Sequence, residues 1–449
     1  MPDIAGTLGV SGDGLAYRFT IAAGRRWSDG SAITPQDVVA TVAAVQQPGF
    51  PDAALATAWK GVAVRPAADG SVTMTLGAAR ASFASTVADL PLLPAAVASR
   101  PLAEMIRRAA EAVPASGPMM VREAAADRVT LDPNPYAPRT AHLHEIEIRI
   151  VGSFDAALSA FGAGQVDAVE ATTPAQRSML AQVPGAHVYD SVSFRFVDML
   201  FNARRPGLDD PAVRRAIASA VDRHALIAAA LQGDARAQVD AIPAGVSWLG
   251  PQSTEQPDPL LAQRALDAAG WRVAIPDRVR SKNGAQLAFT LSVPDAEPLP
   301  AVAHVLATQL EAIGVGVTVR PVVPASFAGD TLGQLSFDLA VADWDNGPDP
   351  DVSSFWRSNA TPPAGFNVSG LPADPFLDQA LDGLATERDQ QVRQDAARRV
   401  NQRLADDAAA AFLYAPQVSF VVNGSIQGVH VPAAGTSGSR YEGFTDWTR

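Results

Sequence analysis

Residues 15–21 alternate apolar and polar, with Leu15, Tyr17, Phe19 and Ile21 on one side after an Asp13-Gly14 turn. A period of two predicts a half-buried strand. Trp27-Ser28-Asp29-Gly30 then reads as a turn, and Thr34-Pro35-Gln36-Asp37 opens a helix, with a capping threonine and proline at the first helical position. Residues 62–76 predict a hairpin around Asp69-Gly70. Ile146, Ile148 and Ile150 line one side of a strand over 145–151. A helix over 154–164 and a strand entry at 164–169 follow, and then a strand over 194–201. Strands, hairpins and helices in this alternation predict a mixed α/β lobe.

The strongest helical signal lies within residues 202–231. Asp209 and Asp210 supply capping carboxylates and Pro211 takes the first turn. Val213, Ile217, Val221, His224, Ile227 and Leu231 then fall on one face at steps of three and four. This predicts a single helix, supported at its start by an Asp210–Arg214 pair four residues apart. Further on, 259–270 is a helix stopped by glycine, and Asn283-Gly284 turns into a strand over 288–293. Residues 302–313 and 315–319 complete a β-α-β unit. Residues 376–384 and 392–404 are amphipathic helices, and 412–414 and 418–422 are two closing strands. No short repeat is present.

A chain of 449 residues exceeds one ordinary core, so two or three lobes are expected. Hydrophobic residues make up 47% of it, yet no apolar run reaches the length of a membrane helix. The net charge of −12 argues against nucleic acid as a partner, because phosphate binding needs a basic face. An acidic surface is otherwise most simply a solubility device. Without cysteine there are no disulfides, thiol nucleophiles or thiolate metal sites. The opening residues MPDIAGTLGVSGDG carry neither a basic nor an apolar leader region, which taken alone points to the cytoplasm.

The most unusual window is 340–355, AVADWDNGPDPDVSSF, where Asp343, Asp345, Asp349 and Asp351 crowd beside Trp344 and two prolines fix the loop. A rigid acidic loop with an aromatic neighbour suits an ammonium group or cation. Composition alone favours a solvated turn, and the spacing is not that of a calcium loop. Trp356 and Phe366 read equally as ligand platforms or as core. Arg357 reads as a carboxylate partner or a surface ion pair. Asp29 and Asp37 fit turn and cap duty better than catalysis. Among the six histidines only His142 and His144 cluster, without the spacing of a zinc helix. No nucleophile elbow, P-loop or dinucleotide fingerprint occurs, so no catalytic residue, metal or cofactor is expected.

Several stretches, in order, resemble the family 5 extracellular solute-binding proteins, the oligopeptide and dipeptide binders of ABC importers and their relatives. They are Y-x-F-x-I, W-S-D-G and T-P-Q-D-V-V near the start, then a G-P hairpin at Gly117 ending in Asn134-Pro135-Tyr136. Next come G-x-V-D at Gly164 and Phe201-Asn202 with D-x-x-V-R-x-A-x-x-x-A-x-D-R from Asp210. The series continues with A-x-x-x-L-x-x-A-G-W ending at Trp271, the Trp344 window, and the Gly365 to Gly370 segment. The chain departs from the pattern at Met119, where an aromatic is usual, and at Asp132-Pro133.

The resemblance implies a two-lobe periplasmic-binding-protein-like α/β fold of type II with an extra subdomain, mixed sheets flanked by helices, and a hinged cleft. It implies a small subdomain over 1–116, the main part of the first lobe over 117–202 and 421–449, and a second lobe over 203–420. Crossings are expected near 201–204 and 420–423. The implied function is extracytoplasmic capture of a peptide or other small polar solute, by a monomer, for delivery to an ABC permease. A nickel, haem or sugar carrier is the alternative on the same fold; a cytoplasmic sensor or a hydrolase is the alternative from another class.

In peptide-binding relatives an aspartate three residues after the tryptophan takes the ligand's amine. Here that position is Gly347, and Asp345 is the expected substitute. Trp344, Asp345, Asn346, Asn202, Asn367, Phe366 and Trp356 are the expected ligand contacts, with Asp349 and Asp351 structuring the loop. Relatives carry some tens of residues ahead of the matching start, holding a signal, often a lipid anchor, and the first strands. A misassigned start is therefore expected, with membrane tethering through the missing segment.

Overall fold

The computed structural model describes residues 4–108, 111–243, 245–249, 256–273 and 278–449. The chain folds as two compact units, Met1–Asp167 with Gly424–His430 and Gly443–Arg449, and Ala168–Asn423 with Val431–Glu442.

The first unit contains two small antiparallel sheets. Strands β1 (Ala5–Val10), β2 (Ala16–Ile21), β3 (Ala63–Pro66) and β4 (Ser71–Thr75) pair in the order β1-β2-β4-β3. The alternation of Tyr17 and Phe19 points their rings into a core with Val38, Val42, Trp59, Met74 and Phe83. The Pro35–Val45 helix starts with the expected capping box, and Asp37 does more than cap. One of its oxygens accepts from the Thr34 amide at 2.7 Å and the other from the Ala95 amide at 2.6 Å. Strands β5 (Met119–Ala124), β6 (Arg128–Pro133) and β7 (Ile146–Arg149) form the second sheet. The isoleucines of β7 recur at period two as expected, but Ile148 and Ile150 are exposed.

The second unit is built on a sheet of eight strands. They are β8 (Ala168–Ala171), β9 (Ala186–Val192), β10 (Arg195–Phe201), β11 (Ala235–Ala237), β15 (Ala288–Pro294), β16 (Gly316–Val322), β17 (Leu339–Asp345) and β18 (Ala410–Asn423). The short strands β12 (Arg272–Val273), β13 (Arg280–Lys282) and β14 (Ala285–Gln286) make a separate hairpin sheet at the Asn283-Gly284 turn. The main order is β11-β18-β10-β17-β15-β16. The β15-β16 and β15-β17 pairs are parallel and the β10 pairs antiparallel, so the sheet is mixed. One face packs on the Pro211–Ala220, Pro259–Ala268 and Leu299–Ala312 helices, the other on the Pro375–Thr386 and Gln390–Asp407 helices.

Three expectations are corrected here. The helix expected to run to Leu231 is two helices, Pro211–Ala220 and Arg223–Leu231. Asp222 breaks it, because its carboxylate accepts from the Ala225 amide and caps a new helix. The break buries Arg223 and Leu226 and leaves His224 exposed. Secondly, Arg214 leaves Asp210 to cap Ala212 and turns inward to backbone carbonyls. Thirdly, the two closing strands are one, β18. Its first half pairs with β10 and β11, and its second half with β8 and β9.

β9 and β10 run one after the other along β18, so two segments pass together between the halves of the sheet. They are tied at that point, where the amide and hydroxyl of Ser193 both donate to the Pro416 carbonyl, at 3.0 and 2.9 Å. Residues 201–204 and 420–423 lie at the opposite ends of these strands.

A charged cluster links the two halves beside this passage. Arg177 grips Asp190 of β9 at 3.0 and 2.7 Å, and Ser419 of β18 adds a hydrogen bond to Asp190. The arginine holds the Asp190 carboxyl below the usual carboxylate range. Asp234, at the end of the other helix layer, is 3.7 Å from the same arginine, and its Oδ1 is buried without a hydrogen bond. Burial pushes the Asp234 carboxyl up to about 6. A raised carboxyl stabilises the fold below its ordinary pKa and loses that contribution as pH rises through about 6. Asp234→Asn is therefore expected to gain about 1–2 kcal/mol at pH 7.5, after allowance for solvent screening, and nothing at pH 4. Urea unfolding at the two pH values measures it, and equal effects at both would refute the burial argument.

Candidate functional site

The acid-rich window, a solvated turn by composition, is half strand. Residues 339–345 form β17, and its register against β10 decides where each side chain points. Phe196 lies opposite Trp344 and Asp198 opposite Ala342, so these four share one face. Arg195 lies opposite Asp345 and Val197 opposite Asp343, on the other.

On the first face an aromatic stack rises from the core to the surface. Phe196 is fully buried and meets Phe355 edge-on at 5.7 Å between centroids. Phe355 touches Trp344 at 5.1 Å and stacks against Phe366 at 5.8 Å. Phe366 also meets Trp344 at 5.7 Å and is 51% exposed, so the stack ends in an open aromatic wall. The Trp344 ring is half-buried, and its indole N–H donates to Asp198 Oδ1 at 3.0 Å.

The charges around the wall are distributed unevenly. Asp343 is paired with Arg195 through two contacts, one of them at 3.1 Å. Burial nevertheless raises the Asp343 carboxyl, with Arg195 opposing and Asp345 reinforcing. Asp198 is completely buried, and burial lifts its pKa well above the usual range. Tyr414 is raised by burial and by the nearby Asp343. Asp345 differs from these in being exposed. Its Oδ1 accepts from the Gly347 amide at 3.0 Å, in a turn that Gly347 makes at φ +69°. Among the described residues no ion pair engages it.

Asn346 fixes the loop beyond, its amide nitrogen donating to the Asp349 carbonyl at 2.6 Å and its backbone N–H to the Phe194 carbonyl at 3.4 Å. Asp349 is held by Arg393 at 2.7 and 2.9 Å, and its Oδ1 accepts from the Asp351 amide. Asp351 in turn accepts from the Ser353 amide. Both carboxylates are thus spent on shaping the loop.

The structure brings Trp344 and Phe366 together, whereas Asp345 falls on the opposite face of β17 and Asn346 ties down the loop beyond it. The polar groups of Asn202 and Asn367 are committed elsewhere. Asn202, 2% exposed, donates to the Phe337 and Leu335 carbonyls at 2.9 and 3.3 Å and accepts from the Arg204 amide. Asn367 donates to the Trp356 and Arg357 carbonyls and accepts from the Ser369 hydroxyl at 2.8 Å. Their loops interlock, since the Ala203 amide donates to the Ser369 carbonyl at 2.8 Å. Trp356 is buried, edge-on to Phe412. Arg357 ion-pairs with Asp382.

Phe355 and Asp198 were not among the sequence candidates. Phe355 lies on the short Ser353–Trp356 helix and shows its place only through its packing on Phe196 and Trp344. Asp198 carried one legible signal, a lone acid in the apolar run RFVDMLF.

Comparison with known proteins bears on the family and the fold. The family described as bacterial extracellular solute-binding proteins, family 5 Middle, matches residues 1–366. Protein XP55 of Streptomyces lividans is 26% identical over 90% of this chain and 74% of its own length. A probable D,D-dipeptide-binding periplasmic protein of Escherichia coli is 23% identical over 95% of this chain and 81% of its own. Among solved structures, the ABC transporter substrate binding protein CtaP of Listeria monocytogenes superposes with a TM-score of 0.84. It is 21% identical and covers 99% of this chain and 90% of that one. The family match spans well over half of the sequence, the mixed sheets and flanking helices are the fold of its solved neighbours, and the chain belongs to the bacterial extracellular solute-binding proteins of family 5.

Proposed function

We propose that this chain captures a peptide, or another small solute with a cationic amine, outside the cytoplasm and delivers it to an ABC permease without chemically altering it. The observation that carries this reading is the open Phe366–Trp344 wall at the end of β17, where the exposed Asp345 carboxylate follows as the strand's last residue on its opposite face. An aromatic face takes an apolar side chain, and a carboxylate oxygen free of ion pairs takes an ammonium group. Asn367 fixes the loop that carries Phe366 by donating to the Trp356 and Arg357 carbonyls. The site stands at the passage between the sheet halves, since Asn346 reaches the carbonyl of Phe194 next to Ser193.

Placed there, a bound solute would bias rotation about Ser193 and Pro416. It would favour the closed arrangement only by its differential affinity for it. The E. coli relative's name, D,D-dipeptide-binding, supports a peptide as the solute class.

Thermal shift against di- to hexapeptides, sugars and Ni²⁺ tests the reading. A peptide at a hundred times its Kd is expected to add about 2.7 kcal/mol, raising Tm, and N-acetylation of the same peptide to abolish most of the gain. A shift with sugars or Ni²⁺ alone would overturn the amine assignment.

A further inference from the structure

Asp198 is an expensive residue where it stands. It lies on β10 with no exposed surface, on the face that carries Phe196 and, across the pairing, Trp344 of β17 and Phe412 of β18. Its Oδ1 accepts the indole N–H of Trp344 at 3.0 Å, and its Oδ2 is buried without a hydrogen bond. An apolar residue of similar volume would avoid the desolvation of an acid whose second oxygen is unsatisfied. Nothing in the local fold calls for a carboxyl here, because the ladder bonds of β10 are made by its backbone. What it does is hold one ring. Trp344 sits diagonally across the pairing from Asp198, with Phe355 and Phe366 against it. Those ring contacts are non-directional, whereas the indole hydrogen bond selects one orientation.

We infer that Asp198 is a positioning residue. By fixing the Trp344 indole it sets the shape of the aromatic wall, and hence which solute side chain the site accepts. The inference rests on the wall being the ligand site, and it deepens that reading. Because burial keeps the carboxyl protonated more readily than usual, a neutral acceptor of the same shape is expected to serve as well.

The test compares Asp198→Asn, which keeps an acceptor carbonyl, with Asp198→Leu, which removes it. The protein is labelled with 5-fluorotryptophan, and the Trp344 resonance is identified by its loss in Trp344→Phe. A single sharp Trp344 signal is expected in the native protein and in Asp198→Asn, and a shifted or broadened one in Asp198→Leu. The leucine variant should be at least as stable to urea as the native protein. Binding is read with trileucine and triphenylalanine. Asp198→Leu is expected to weaken the preferred tripeptide by about 5–20-fold, the loss of one well-placed hydrogen bond, and to narrow the ratio between the two. Asp198→Asn is expected to retain both. An unchanged Trp344 signal in Asp198→Leu overturns the inference whatever binds. So does a binding loss that only follows a loss of stability, or one that asparagine fails to rescue. If neither tripeptide binds the native protein while the Trp344 signal responds as expected, the peptide reading fails and the positioning role stands.

Discussion

Arg214→Leu is expected to destabilise the second unit by about 3–5 kcal/mol, out of the 5–15 that a domain usually has. Arg214 is 3% exposed and its fork reaches two stretches of backbone. Nη1 donates to the Leu208 carbonyl at 2.7 Å, Nη2 to the Asp407 carbonyl at 2.6 Å, and Nε to the Asp407 and Ala408 carbonyls at 3.2 Å. Those last two close the Gln390–Asp407 helix, whose cap Ala408 is left-handed at φ 45°. One side chain therefore satisfies the end of one helix and the entry to another, and leucine leaves these carbonyls buried without donors. Lysine keeps the charge but not the fork, and is expected to recover less than half. Urea unfolding of the three proteins decides it. A loss below about 1 kcal/mol for leucine would mean that water replaces the guanidinium.

Trp344→Ala is expected to weaken binding of a shifting peptide by roughly 10–100-fold while the protein stays folded. The ring is half-buried at the end of β17, so truncation removes one wall of the site and exposes Phe355 without emptying the core. Trp344→Phe keeps the wall and loses the indole N–H, and a loss of about 10-fold or less is expected. Titration calorimetry gives the affinities, and circular dichroism confirms the fold. Unchanged affinity in the alanine variant would remove Trp344 from the site.

What was legible in the sequence was whatever short-range physics decides. The period of two at Tyr17 and Phe19, the Thr34-Pro35 start and the glycine after the Pro259–Ala268 helix each specify their element locally. The helix break at Asp222 was also written locally, as an acid followed three residues later by an alanine amide. The apolar period ran on past it and masked it. Long-range decisions were not legible. Nothing near Arg214 says that its partners are carbonyls almost two hundred positions away. Likewise, the acid-rich window reads as a loop because aspartates disfavour strands. Pairing with β10 overrides that and puts Trp344 and Asp345 on opposite faces. The resemblance to a family supplied Trp344, Asp345, Asn202 and Asn367, and could not show that the two asparagines spend their amides on backbone carbonyls.

The tie between Ser193 and Pro416 has a mechanical consequence. Each passing strand is zipped to the other on both sides of it, β10 along residues 410–414 of β18 and β9 along residues 417–423. Sliding one past the other by a single residue would exchange Phe196 and Val197 between the two differently packed cores on the sheet's faces, so that degree of freedom is closed. Twisting about the tie breaks no ladder bond. The pair behaves as a torsion bar, stiff to stretch and shear, that turns motion of either half into rotation about one fixed axis.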